Sequence, residues 1–540
     1  MNNDDTSSGI ELSRRTRAAN LERMRRETFD IVVIGGGATG AGVALDAVSR
    51  GLKVALVEKH DFAGGTSSRS SKLIHGGLRY LEQFEFALVR EALRERARLR
   101  RNAPHLSQPL PFLVPVYQSR ERSPLGNRVL KLRLGLTLYD WLAGRQNFAR
   151  HRWLTAEQAL TFAPCLDAAG LRGAFLYYDG LTDDARLVIE IIKTAAAHGA
   201  VVANYVAATG FVERDGRVRG AAVTDALSGE QLMLAARIVI NATGVWADDV
   251  LRLSDPAAAK TLRPSKGIHV VLKAAKLANR AAVLIPSLGE QRFLFVIPWQ
   301  DRIVIGTTDT DYAGDVEDPQ ASADEIRRVI ESAAHSFPDA KLMADDVVSS
   351  FAGLRPLAGG AGATKELSRR EVIIETESGL ITIIGGKLTT WRAMGERAVD
   401  RAVKRLAATA SASPPARSRS AEMKLANGMR LSDEVSSEAA RLASEFAVPL
   451  ATAAHLLQSY GGNGADVLEL TRRCDGLKRR LIADLPHIEA EAIYAARCEM
   501  AVTVEDFLAR RTRIGLLARD GGAACVARVT ELLAEAGHTD

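Results

Sequence analysis

The stretch Phe29–Glu58, FDIVVIGGGATGAGVALDAVSRGLKVALVE, constrains the fold of this 540-residue chain more than any other. The apolar run Ile31–Ile34 reads as a buried parallel strand. It runs into Gly35-x-Gly37-x-x-Gly40 and then into a helical stretch from about Ala41 to Arg50, which Gly51 ends. A second apolar run, Val54–Val57, closes on Glu58. Glycine at the first motif position permits a tight turn. At the second it lets backbone approach a pyrophosphate, and at the third it lets helix and strand pack closely. The helix N-terminus offers free N–H groups and partial positive charge to the phosphates. Glu58 stands 23 positions after Gly35, where a carboxylate can accept hydrogen bonds from ribose hydroxyls. A glycine triplet alone is weak evidence. With strand, helix and acid in order around it, the unit reads as a dinucleotide site rather than a structural turn.

A chain of this length exceeds one core, so two or three domains are expected. Its 47% hydrophobic and 25% charged residues exclude a disordered protein. Residues 1–28 read as a polar helical lead-in carrying six arginines, with no apolar h-region behind them, hence no secretory signal. Ile31–Leu45 is uncharged but only 15 residues long with five glycines, too short to span a bilayer; no transmembrane helix is read. The four cysteines, Cys165, Cys474, Cys498 and Cys525, are scattered. They suggest neither a disulfide framework nor a zinc site, so no metal is expected and a reducing compartment is the natural setting. The net charge of +6 permits anionic partners without choosing among membrane, nucleic acid and phosphorylated substrate.

Strand and helix signals alternate along the chain. Leu187–His198 reads as a helix and Val201–Tyr205 as a strand, followed by a hairpin pair around Asp215-Gly216 and Ser228-Gly229. The run Ile238–Gly244 reads as a buried strand meeting a turn of small residues. Strand-rich sequence continues from His269 to Asp309. Ile381–Lys387 is another strand entering a glycine turn, with a helix from about Leu388 to Ala407 behind it. Ser411–Ser418 reads as a linker, and residues 421–540 carry helical periodicity. The expected division is therefore a lead-in, 1–28; a nucleotide-binding domain with an interleaved substrate domain, 29–410; a linker, 411–420; and a helical domain, 421–540. Gly360-Ala361-Gly362 and Gly461–Gly464 read as loops, so no second nucleotide fingerprint is present to accept electrons as a nicotinamide cofactor would.

Past Glu58 the chain runs Thr66-Ser67-Ser68-Arg69-Ser70-Ser71-Lys72-Leu73-Ile74-His75-Gly76-Gly77-Leu78-Arg79-Tyr80-Leu81. With the fingerprint before it, this segment resembles the FAD-dependent glycerol-3-phosphate dehydrogenases, the quinone-linked branch of the glycine-oxidase-like flavoproteins. The resemblance continues through Asn241–Asp248, Lys266–His269, Ile305–Asp309, Gly353–Leu357, Gly385–Thr390 and Asp506–Arg513. It covers nearly the whole chain and departs at the lead-in and at the loop 358–368. It implies an α/β fold: a Rossmann-type, glycine-oxidase-like FAD-binding domain with a β-rich substrate domain and a C-terminal α-helical domain. It also implies non-covalent FAD and oxidation of sn-glycerol 3-phosphate at C2 to dihydroxyacetone phosphate, with hydride passing from C2 to flavin N5 and electrons on to membrane quinone.

Such a site needs cations for the phosphate, a proton acceptor and stabilisation of reduced flavin. The matched motifs offer Arg79, Arg355 and Lys387 as the cations, with Tyr80 adding a hydroxyl. Arg355 is an alternative catalytic residue beside the reacting hydroxyl. His269 is the first candidate for proton acceptor and His75 the second; Asp309 is placed to orient a base or touch a substrate hydroxyl. Cofactor contacts are expected from Gly35, Gly37, Gly40, Glu58, Thr66, Ser67, Ser71, Lys72, His75, Gly244, Gly386, Lys387, Leu388 and Thr389. Lys387 at a helix start suits either an anionic flavin or the phosphate. The segment Arg120–Leu142 mixes basic residues with Leu, Tyr and Trp, and reads either as an interfacial anchor on anionic lipid or as a buried helix with a basic face. The expected setting is cytoplasmic, peripheral on the inner face of the cytoplasmic membrane, with homodimerisation left open. The alternatives are a soluble oxidase that reduces oxygen to hydrogen peroxide and a non-catalytic flavin-binding sensor. No basic-aromatic interleaving of the kind used on single strands is present, so nucleic acid is not expected as a partner.

Overall fold

A computed structural model describes residues 10–118, 129–289, 292–359, 370–409, 416–425 and 433–538. The β-α-β unit is formed by a strand Thr28–Ile34, a helix Ala38–Ser49 and a strand Val54–Val57. The two strands pair in parallel, Ile31 opposite Val54 and Ile34 opposite Val57. The helix begins three residues earlier than its apolar periodicity suggests, because Gly37 takes the extended N-cap conformation immediately before it. Gly40 is where helix and strand touch: a Cβ there would lie 1.8 Å from the Gly35 carbonyl oxygen.

These strands belong to an eight-stranded sheet ordered Glu371–Glu375, Ile381–Gly385, Gln231–Asn241, Thr28–Ile34, Val54–Val57, Val201–Ala203, with the hairpin Val206–Arg214/Arg217–Asp225 on its flank. The core of this sheet is parallel, and Gln231–Asn241 and Ile381–Gly385 end beside the glycine turn. A ten-stranded, largely antiparallel sheet forms the second layer. In it Leu262–Lys273 pairs with Arg302–Gly306 on one side and Val347–Ala358 on the other. The expected helix after Gly386 is a short 3-10 turn, Leu388–Thr390, continuing as an α-helix, Trp391–Thr409. Gly461–Asn463 is a tight turn between two helices. Gly360-Ala361-Gly362 and Ser411–Pro415 lie outside the described residues.

The lead-in is docked rather than loose. Its helix Arg14–Arg26 is opened by a Ser13/Thr16 capping box. Arg17 is buried and donates to the Asp225 carboxylate at 2.5 Å and to the Asn204 carbonyl oxygen. We propose that residues 421–540 form a domain, as the sequence suggests, yet its core is not separate. One apolar cluster joins Leu456, Tyr460, Phe507 and Leu532 to Phe112, Tyr177 and Leu284 of the ten-stranded sheet. Buried ion pairs fix the seating: Asp61 with Arg510 and Arg511, Arg186 with Glu499, and Asp184 with Arg513. Burial alone would raise the Asp61 carboxyl, but Arg511 and Arg510 hold it below the usual carboxylate range. Removing one partner of such a pair strands a charge in the interior, at a cost of roughly 3–5 kcal/mol.

The segment read as either an anchor or a buried helix has a buried apolar face and an exposed one. Residues 120–128 of it lie outside the described residues, but Val129–Ala143 is an α-helix. It buries Leu136, Tyr139 and Ala143 and turns out Leu130, Leu134 and Trp141, which are 70%, 62% and 75% exposed. Lys131 is ion-paired with Glu82. Among the described residues no helix is long and apolar enough to cross a membrane.

Candidate functional site

The two sheets enclose a cavity of about 1110 Å3. Pockets for one small ligand run roughly 300–1,000 Å3, so this one has room for a large cofactor and a small substrate together. Its walls come from distant parts of the chain: the glycine turn, the segment 65–88, the turn after Asn241, strands across the ten-stranded sheet, and the Gly385–Thr389 turn.

At one end lie Gly35, Gly37, Ala38 and Glu58. Gly35 has φ +109, and a Cβ on it would sit 2.6 Å from the Ala242 carbonyl oxygen. Gly37 faces the cavity, with only the Ser67 hydroxyl within 3.0 Å of a notional Cβ. Ser67 Oγ accepts from the Ala38 amide at 2.9 Å, so a hydroxyl oxygen stands where the helix N-terminus attracts negative charge. The Glu58 carboxylate accepts from the amides of Gly36 (2.6 Å) and His60 (3.0 Å). Burial nonetheless pushes its carboxyl up. Glycine backbone and electropositive helix amides fit a pyrophosphate, and the held carboxylate beside them fits the ribose of a dinucleotide.

Further in, Thr66, Ser71, His75, Gly244, Gly386, Lys387, Leu388 and Thr389 line the cavity. Thr66 donates to the Leu354 carbonyl oxygen, and the Thr389 hydroxyl accepts from the His75 amide, tying loop to turn. Gly40 is absent from the wall; it packs helix on strand, as its motif position requires. Lys72, expected as a cofactor contact, is not in the cavity wall: it is fully buried and pairs with Asp184 at 3.0 Å, 112 residues distant. A buried ammonium needs a carboxylate partner, and Asp184 is the one the fold supplies.

Two polar corners line the cavity. One holds Arg79 and Tyr80, with the Lys387 ammonium 3.6 Å from the centroid of the Tyr80 ring. In the other, strand pairing sets Arg355 opposite Ser265 and His269 opposite Phe351. Arg355 donates to Thr307 Oγ1 at 2.9 Å and to the Thr308 carbonyl oxygen at 3.1 Å, with Asp309 Oδ1 at 3.6 Å. Arg292, a cation that sequence reasoning missed, donates to the Asp309 carbonyl oxygen at 2.8 Å. It carries no motif signal, since it precedes a strand whose pattern is otherwise apolar. Thr307 lies in the matched Ile305–Asp309 motif but was given no role of its own, and Ser265 was unremarkable in the sequence.

His269 stacks on Phe351 at 4.7 Å, with Nε2 2.9 Å from Ser71 Oγ. Burial, then the charges of Arg355 and Lys72, push its pKa down to about 3, so the ring is neutral near pH 7. The unfolded chain binds this proton near pH 6.5 and the folded chain only near 3. Stability is therefore lost as pH falls below about 6.5, at about 1.4 kcal/mol per unit once well below it. We expect the Tm of His269→Gln to fall less steeply than that of the parent between pH 7 and 5. Parallel Tm curves would show that His269 does not carry the acid limb.

The sequence matches two family models: one described as FAD dependent oxidoreductase over residues 30–401, the other as the C-terminal domain of alpha-glycerophosphate oxidase over 419–540. A Mycobacterium tuberculosis protein named glycerol-3-phosphate dehydrogenase 2 is 38% identical over 520 residues, covering 96% of this chain and 86% of its own. The human mitochondrial glycerol-3-phosphate dehydrogenase is 38% identical over 526 residues, covering 94% and 70%. Among solved structures, the glycerol-3-phosphate dehydrogenase of Bacillus halodurans complexed with FAD superposes with TM-score 0.77 at 30% identity, covering 98% of this chain and 94% of that one.

Proposed function

The chain belongs to the FAD-dependent glycerol-3-phosphate dehydrogenases, and on that premise we propose that it oxidises sn-glycerol 3-phosphate to dihydroxyacetone phosphate at the membrane surface and delivers the electrons to quinone. The observation that carries the reading is one cavity joining the dinucleotide cradle at Gly35–Ala38 to the cationic corners at Arg79, Lys387, Arg292 and Arg355. Gly35, Gly37, Glu58, Ser67 and the Gly386–Thr389 turn would hold FAD, which when bound would supply the acceptor for the hydride from C2. Arg79, Tyr80 and Lys387 bind the phosphate, where bidentate guanidinium contacts give both charge and orientation. Arg355, kept in place by Thr307 and the Thr308 carbonyl, sits toward the reacting hydroxyl and favours its negative charge as the proton leaves. His269, neutral and bonded through Nε2 to Ser71, is the first choice to take that proton, although its lowered pKa makes it a weaker base than a free imidazole; His75, which also lines the cavity, is the second choice.

The membrane side of the proposal rests on exposed side chains beside the cavity. Phe84 is 78% exposed and meets Phe86 edge to face at 6.0 Å. Both line the cavity, together with Lys131 and Leu134 of the helix that exposes Leu130 and Trp141. Exposed apolar side chains beside the cavity suit shallow insertion, with quinone entering from the lipid. Each basic residue near an anionic surface adds ~1 kcal/mol, so high salt alone should release the protein only partly.

Glycerol 3-phosphate added without oxygen should bleach the flavin, and a soluble quinone should restore its colour much faster than air does. Leu130, Leu134 and Trp141 replaced together by Glu should move the protein to the soluble fraction while dye-linked turnover persists. Reoxidation by air at turnover rates, with negligible quinone reduction, would instead identify an oxidase.

A further inference from the structure

A second cluster of ligating groups lies in the helical segment 433–538, away from the cavity. His455 sits on the helix Leu450–Tyr460, Glu491 in the first turn of the helix Ala490–Cys498, and His487 just before that turn. One ligand atom from each lies within 4.8 Å of the others. His455 Nε2 is already 3.0 Å from Glu491 Oε2, a spacing that two ligands of one metal ion adopt when each bond is roughly 2.0–2.1 Å long. The supporting contacts are those that orient metal ligands. Ser459 Oγ lies 3.3 Å from His455 Nδ1, the Ile488 amide donates to Glu491 Oε1 at 2.8 Å, and Tyr460 donates to Oε2 at 2.9 Å.

An internal hydrogen-bond network accounts for His455 and Glu491 but not for His487. That imidazole is fully buried, with its ring 4.2 Å from the ring of His455. Neither of its nitrogens makes a hydrogen bond of normal geometry, although the Thr512 backbone lies close enough to favour the charged ring slightly. A buried polar group left without a partner is costly, and here it is aimed at a histidine and a carboxylate.

We propose that His455, His487 and Glu491 form a structural site for one Zn2+ that pins the helix Leu450–Tyr460 to the start of the helix Ala490–Cys498. Two imidazoles and a carboxylate are a borderline N/O set suited to zinc. Coordination replaces the proton that His455 Nε2 shares with Glu491, turns its Nδ1–H toward Ser459, and gives His487 a partner stronger than the weak approach of the Thr512 backbone.

The test uses the purified full-length flavoprotein, dialysed without chelator after growth with added Zn2+. Metal analysis should find about one zinc per chain, chelator should lower the Tm, and Zn2+ should restore it. Co2+ added to the stripped protein should give visible d–d absorption beyond the flavin bands. His487→Gln should lose the metal and have the Tm of the stripped parent. Ser459→Ala should keep all three ligands but weaken Zn2+ by roughly ten- to a hundredfold. Zinc below a tenth of an equivalent with no Co2+ spectrum, or equal zinc content in parent and His487→Gln, would overturn the site.

Discussion

Replacing Gly37 by valine is expected to give a folded protein that purifies without its flavin. Gly37 has φ −82 and ψ −174, an extended conformation open to any residue. Its notional Cβ meets only the Ser67 hydroxyl, at 3.0 Å, and that side chain can rotate. The branched side chain would then fill the approach that a pyrophosphate needs to reach the helix amides. Gly40→Ala is the contrasting change: its Cβ would meet the Gly35 carbonyl oxygen at 1.8 Å, so the β-α-β unit itself should fail. The measurements are the flavin absorbance of the purified variants, FAD released on acid precipitation, and the far-ultraviolet spectrum. Full flavin retention by Gly37→Val, or no FAD released from the parent, would sink the assignment of this cradle.

The β-α-β unit was legible because its information is local. Strand, glycine turn, helix and acid fall within thirty residues, and each position has its own steric reason. The site was legible in its parts more than in its contacts. Ser71 and His269 were both singled out, but their 2.9 Å pairing joins residues 198 apart, and no periodicity encodes it. Lys72 was misplaced for the same reason. Within a hydroxyl-rich loop it reads as a cofactor contact, yet a left-handed backbone (φ 60) turns it inward to Asp184. The helix Val129–Ala143 could not be resolved from pattern alone because both of its faces are apolar, one packed under Tyr139 and the other turned outward at Trp141. The His455–His487–Glu491 cluster has no motif spacing in the sequence, since its two histidines stand 32 residues apart, one on a helix and one in the turn before another.

Arg355→Ala is expected to lower kcat/KM for glycerol 3-phosphate by roughly ten- to a hundredfold, the loss of one charge-assisted contact of about 1.5–3 kcal/mol. Arg79→Ala should show most of its loss as a raised KM, because phosphate binding is made equally in ground and transition states. Arg355→Ala should also lower kcat, because a guanidinium beside the hydroxyl acts on charge that develops only as the proton leaves. A second readout separates this from simple loss of packing. The Arg355 charge is the largest influence after burial that depresses His269. Without it the imidazolium forms at higher pH, so the acid limb of kcat/KM should move upward. Arg355→Lys, which keeps a charge but not the forked donors, should restore the position of that limb better than it restores the rate. The parent should respond to glycerol 3-phosphate and not to glycerol. Equal flavin bleaching by both would remove the phosphate role from Arg79 and Lys387, and an unmoved acid limb in Arg355→Ala would separate Arg355 from the proton acceptor.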